Sequence, residues 1–151
     1  MDAQTERFVE RMGLVSESDG IPRIAGRIFG LLMLTPGECS LDHLADELQV
    51  SRASVSNDAR RLAQMGLIER RSRPGDRRDY YRIAPDSFRH SIERRIEGLR
   101  RFHAVIDDAL TRGVQDREVA GRLTEWDDAH RLMLDAFRSV LASLDARHAA
   151  K

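Results

Sequence analysis

The sequence predicts a mainly α fold with one small β-hairpin wing. Three observations carry that prediction. Apolar residues recur at helical spacing along most of the chain, two serines stand where helix caps belong, and a short run of β-formers doubles back at Pro74-Gly75-Asp76. At 151 residues, 41% hydrophobic and 33% charged, the chain has the size and composition of a soluble, helix-rich globular protein.

The elements follow in order. Thr5 to Val15 places Phe8, Val9, Met12 and Val15 on one side, a stripe too short to hold a helix alone, so it must pack on something, with a second subunit as one partner. Asp19-Gly20 breaks the chain, and Pro22 suits the first turn of a helix whose stripe is Ile21, Ile24, Ala25, Ile28, Leu31 and Leu32. Gly26 and Gly30, four apart, leave a smooth side that another helix can approach closely; the plainer alternative is that they only weaken the helix. Thr35-Pro36-Gly37 ends it.

Ser40 caps the next helix, which buries Leu41, Leu44, Ala45 and Leu48; Gln49-Val50 turns the chain, and Ser51 caps again. From Ser51 to Gly66 the inward positions are Val55, Ala59 and Leu62. The opposite side presents Ala53, Asn57, Arg60 and Gln64, flanked by Ser54, Ser56 and Arg61. Gly66 closes the helix. Leu67 to Ser72 and Asp79 to Ile83, with Ile68, Tyr80, Tyr81 and Ile83 as β-formers, make a two-stranded hairpin. A long helix then carries Ile92, Ile96, Leu99, His103, Ile106 and Leu110, and after a break near Gly113 a last one carries Leu123, Trp126, His130, Met133, Phe137, Val140 or Leu141, and Leu144. The reading is a winged helix-turn-helix at residues 20–85 between dimerisation helices, one at residues 1–19 and a long pair at residues 86–151. Phe8, Val9, Met12, Trp126, Met133, Phe137, Leu141 and Leu144 are the expected dimer-interface residues.

Charge follows the same division. Between Ser51 and Arg78, eight arginines (Arg52, Arg60, Arg61, Arg70, Arg71, Arg73, Arg77, Arg78) face three carboxylates (Asp58, Glu69, Asp76), a local +5 in a chain whose 25 basic and 25 acidic residues cancel. One surface therefore suits a polyanion and the remainder repels it. A major groove accepts one α-helix, read near its N-terminus. There Ala53, Ser54 and Ser56 are small enough for close approach, Asn57 can bond adenine bidentately, and Arg60 or Arg61 can bond guanine or phosphate. Ser51 and Arg52 sit where helix amides receive a phosphate. Arg73, Arg77 and Arg78 at the hairpin tip suit the minor groove, with Asp76 orienting a neighbouring arginine rather than touching DNA.

Competing readings predict other residues. Arginines on one face can merely solvate it. A wing that binds protein would want apolar residues where Asn57, Arg60, Gln64 and Arg61 stand. No nucleophile motif, phosphate loop or paired-carboxylate pattern speaks for an enzyme, and no cofactor is expected. His103 with Asp107, and Asp127 with His130, have the spacing of metal ligands, though histidines in apolar stripes are more commonly hydrogen-bonded core residues. Cys39, before a capped helix, is either a redox sensor or a small buried filler, and as the one cysteine it forms no intrachain disulfide. No run is long and apolar enough to span a bilayer, and the N-terminus lacks a secretory pattern, so a cytoplasmic location is expected.

Ser51-Arg52-Ala53-Ser54-Val55-Ser56, then Leu62, Gly66-Leu67-Ile68 and Pro74-Gly75-Asp76-Arg77-Arg78, resemble the MarR family of bacterial transcriptional regulators. Gly20-Ile21-Pro22-Arg23-Ile24-Ala25-Gly26-Arg27-Ile28 and Arg78-Asp79-Tyr80-Tyr81-Arg82 resemble its GbsR-like branch. The resemblance implies a homodimer held by N- and C-terminal helices, a pseudo-palindromic double-stranded operator, repression of nearby genes, and release by a small-molecule effector or thiol oxidation. The branch is associated with choline sensing, which needs an aromatic cage. Phe102, Trp126 and Phe137 do not make one by inspection.

Overall fold

Two glycines one helical turn apart decide how the chain begins to fold. In the computed structural model, which describes residues 1–149, α1 (Ala3–Ser18) lies against α2 (Arg23–Leu34) along the Gly26 and Gly30 side. A Cβ at Gly26 would sit 2.3 Å from Ser16 Oγ and 2.6 Å from the Met12 carbonyl oxygen; one at Gly30 would sit 2.9 Å from Met12 Cβ. The smooth side is therefore a contact seam. α1 contributes its own glycine, Gly13, where a Cβ would lie 2.8 Å from Arg27 Cγ. Beside the seam Glu10 accepts a hydrogen bond from Arg23 (2.8 Å). Arg27 Nε pairs with Glu10 at 2.6 Å, at an angle that makes no hydrogen bond, while its Nη2 donates to the Leu48 carbonyl at 2.9 Å.

The N-terminal helix thus belongs to the first of two units, Met1–Ser87, and Val9, expected at a subunit interface, is fully enclosed by its own chain. Phe8 and Met12 are half-buried. Pro22 stands one position earlier than expected, as the N-cap of α2.

Within this unit α2, α3 (Leu41–Leu48) and α4 (Arg52–Gln64) enclose one apolar core of Ile28, Leu31, Leu44, Leu48, Val55, Ala59 and Leu62. Local chemistry sets each boundary. Ser40 Oγ accepts from the His43 amide and Ser51 Oγ from the Ser54 amide, both at 3.1 Å. Gln49 turns the chain in the left-handed region, φ 53°. At the other end of α4, Gly66 donates to the Ala63 carbonyl (2.9 Å) and Leu67 to the Leu62 carbonyl (3.0 Å), the paired closure that a positive-φ glycine permits.

The hairpin is part of a three-stranded sheet in the order β1-β3-β2, formed by β1 (Cys39–Ser40), β2 (Ile68–Arg73) and β3 (Asp76–Ile83). The expected hairpin is present, with Arg70 opposite Tyr81 and a bulge between Arg71 and Arg73. The third strand is two residues long, too short to leave a pattern, and pairs Cys39 with Tyr81 and Ser40 with Tyr80. Both tyrosines are buried, Tyr81 within the core cluster and Tyr80 beneath the guanidinium groups of the wing.

The second unit, from Phe88 onward, pairs α5 (Ser87–Thr111) with α6 (Arg117–Ala149). Ile92, Ile96 and Leu134 form its centre, with Leu99, Phe137 and Leu141 packed against them. The expected stripe is divided: α6 buries Asp127 and Leu134, which the stripe did not include, while Trp126, 61% exposed, and Met133 face solvent. A wide apolar seam on a helix with one neighbour is covered on only one side. Asp127 accepts from His103 and, at 2.8 Å, from Arg131 Nε, and these partners hold its carboxyl below the usual range, His103 foremost. His130 stacks on Phe102 with centroids 3.8 Å apart and lies 5.8 Å from the Trp126 ring.

Candidate nucleic-acid interface

Because Val55, Ala59 and Leu62 turn inward, helical periodicity leaves the other side of α4 in solvent. Arg52, Ala53, Ser56, Asn57 and Arg60 line a shallow open depression there. Ser51, Arg52, Ala53, Asn57, Arg60 and Arg61 are exposed, and Ser54 and Ser56 half-buried. The two capping serines bond each other, Ser51 Oγ to Ser54 Oγ at 2.8 Å. Arg60 donates to Asn57 Oδ1 at 2.6 Å and to the Ser56 carbonyl at 3.2 Å. The Asn57 carbonyl oxygen is thus held toward Arg60, which leaves its amide NH2 as the free donor.

The wing is built around Tyr80. Its hydroxyl donates to Asp76 Oδ2 at 2.8 Å, and Asp76 also accepts from the Arg78 amide (2.9 Å) and guanidinium (2.7 Å). These donors, the Arg78 guanidinium first, hold the Asp76 carboxyl far below the ordinary carboxylate range. Arg73 lies over the Tyr80 ring at 4.0 Å from its centroid, with Arg78 at 5.6 Å. Arg73 also donates to Glu38 at 2.6 Å. Of the three arginines expected at the tip, Arg73 and Arg78 are therefore held, and among the described residues Arg77 has no ion-pair partner.

Three participants escaped the sequence reading. Glu38 and Asp42 each reach a guanidinium on the basic surface, Arg73 and Arg52 respectively, and Tyr80 joins the wing arginines. An acid in a first helical turn, such as Asp42, reads as favourable to the helix itself, so its partner was not legible.

The other chemistries find different surroundings. Cys39 is buried, and that burial pushes its thiol above its ordinary range despite a hydrogen bond with Thr35. At neutral pH, native protein is expected to resist iodoacetamide and to react only when unfolded; rapid stoichiometric alkylation of the folded protein would restore the sensor reading. His103 meets Asp127 rather than Asp107, and among the described residues no three histidine, cysteine or acidic side chains gather as a metal site. No described helix is long and apolar enough to cross a membrane.

Comparison with known proteins agrees with this fold. The profile of the MarR family matches residues 19–79. The HTH-type transcriptional regulator MmpR5 of Mycobacterium tuberculosis is 39% identical over 104 residues, 68% of this chain and 63% of its own length, so the chain spans less than two thirds of that relative. A crystal structure of a transcriptional regulator is 32% identical with a TM-score of 0.83, covering 95% of this chain and 99% of that one.

Proposed function

We propose that this chain is a MarR-family, sequence-specific DNA-binding repressor that acts as a homodimer on a pseudo-palindromic operator and is released by a small-molecule effector, a reading supported by the family match over residues 19–79 and by the likeness to a solved transcriptional regulator. One observation carries the reading: the α4 face with Asn57 and Arg60, and the wing with unpaired Arg77, stand exposed on one compact unit, within the Ser51 to Arg78 segment whose local charge is +5. The roles follow from position. Ser51, Arg52, Ala53, Ser54 and Ser56 seat the start of α4 in the major groove, Asn57, Arg60 and Arg61 reach base edges or phosphate, and the wing arginines enter the minor groove.

The homodimer is supported by apolar surface that each unit leaves uncovered. On α1 a shallow groove is lined by Phe8, Met12 and Val15, with Arg7 and Arg11. On α6 Trp126, Met133 and Val140 stand two turns apart on the outer side, with Phe137, Leu141 and Leu144 half-buried. Dimerisation would set the two recognition helices about 34–36 Å apart, the spacing of successive major grooves. The residue pattern at 20–28 and 78–82 further supports a place in the GbsR-like branch, and a regulator that acts on operator DNA works in the cytoplasm.

Selection of bound fragments from genomic DNA tests the whole reading, since a protein that enriches no sequence and ignores random duplex at low salt is not a DNA-binding regulator. Arg77→Ala is expected to weaken binding to most sequences alike and to flatten the salt dependence by about 0.9 for a lost phosphate contact. A steeper or unchanged slope would remove Arg77 from the backbone contacts. Operator titration with candidate small molecules tests release: unchanged affinity with ligand demonstrably bound counts against it.

A further inference from the structure

One short stretch, Glu38 to Asp42, carries two carboxylates that reach both halves of the basic surface. Its centre is pinned, since Cys39 and Ser40 pair with β3 and Ser40 caps α3. From this anchored segment Glu38 Oε1 accepts from Arg73 Nε on the wing strand, and Asp42 Oδ1 accepts from Arg52 Nε at the start of α4, each at 2.6 Å. Asp42 also acts electrostatically on Arg78. Neither acid lies within the arginine-rich segment itself; chain reversal supplies both.

Stability is a poor reason for these pairs. The Arg52 and Asp42 side chains are 65% and 49% exposed, and exposed ion pairs contribute little to folding. Their effect is on what the guanidinium groups are free to do. A phosphate that contacts Arg52 or Arg73 must first displace a carboxylate already bonded there.

We propose that Glu38 and Asp42 are specificity-determining residues: they occupy Arg73 and Arg52 in the free protein, so that a duplex without the operator sequence must displace them for phosphate contacts alone. An operator offsets the same exchange through base contacts made by α4, and a random duplex has nothing with which to do so. The two carboxylates therefore weaken non-specific binding more than specific binding. This rests on the DNA-binding reading above.

The test uses full-length protein with Asp42→Asn, Glu38→Gln and both together, titrated by fluorescence anisotropy against an operator recovered by genomic selection and a random duplex of equal length. Each single variant is expected to bind random duplex about fivefold more tightly, the size an exposed ion pair allows. Its salt dependence on that duplex should steepen by about 0.9 for one added phosphate contact. Operator affinity should change less, so the ratio between the two falls. An Arg52→Ala background separates release of the guanidinium from general loss of negative charge, because most of the gain from Asp42→Asn should then disappear, leaving only its weaker action on Arg78. Weaker binding to both duplexes, an unchanged ratio, or a gain that persists undiminished without Arg52 would overturn the proposal while leaving DNA binding intact. Wild-type protein that binds neither duplex would sink the DNA-binding reading itself, and this proposal with it.

Discussion

Replacing Asn57 by alanine is expected to relax sequence preference at one operator base pair by about 1–3 kcal/mol, the discrimination a well-placed base contact supplies. The structure adds a partner to that expectation. Arg60 Nη2 holds the Asn57 carbonyl oxygen at 2.6 Å, so the amide presents its NH2 outward while one lone pair of its oxygen is already engaged. Arg60→Ala should release the amide to rotate and blur preference at the same pair, beyond any contact Arg60 makes itself. The two substitutions should then be non-additive, with a coupling of about 0.5–3 kcal/mol in a double-mutant cycle, as for residues in one hydrogen-bonded network. Titration against operator duplexes carrying single base-pair changes measures both effects. If Asn57→Ala lowers affinity equally on every sequence, the residue positions the helix and reads nothing.

Gly26→Val is expected to have the largest effect on stability. Even a Cβ at this position meets Ser16 Oγ at 2.3 Å and the Met12 backbone oxygen at 2.6 Å, and a backbone atom cannot rotate away. Overpacking of this kind costs about 1–3 kcal/mol or more, and α1 must lift from α2 to accommodate it. For a chain of this length each kcal/mol lowers Tm by about 2–4 °C, which thermal denaturation resolves. Gly98→Ala is the matched control. It lies within α5 with nothing within 4 Å of its Cβ position, so alanine should raise stability by about 0.5–1 kcal/mol through helix propensity. Equal Tm shifts for the two variants would mean that the α1–α2 seam is not close-packed in solution.

Much of the fold was legible because its signals are local. Ser40 and Ser51 cap the helices they were expected to cap, Gly66 closes α4 in the geometry glycine favours, and Val55, Ala59 and Leu62 point inward as their spacing requires. The Gly26 and Gly30 side is a close contact, though the helix it admits comes from the same chain, which is why Val9 has no surface left for a partner. Strand β1 escaped notice because two residues carry no alternation. The α6 stripe is wider than its neighbour: Leu123, His130, Phe137, Leu141 and Leu144 are half-buried while Trp126 and Met133 stand in solvent, and periodicity alone does not divide such a seam between an inner and an outer face.

The basic surface divides along the same line. Sequence by itself determined which side of α4 is polar and where the arginines gather, since periodicity and composition need no partner to be read. Which of those arginines are occupied was decided by tertiary structure alone. Glu38 and Arg73 are 35 residues apart and meet only where the segment around β1 passes beside the wing, and Tyr80 is covered only once Arg73 and Arg78 fold over it. Charge pairing depends on distance in space, and distance in space is set by how the whole chain packs.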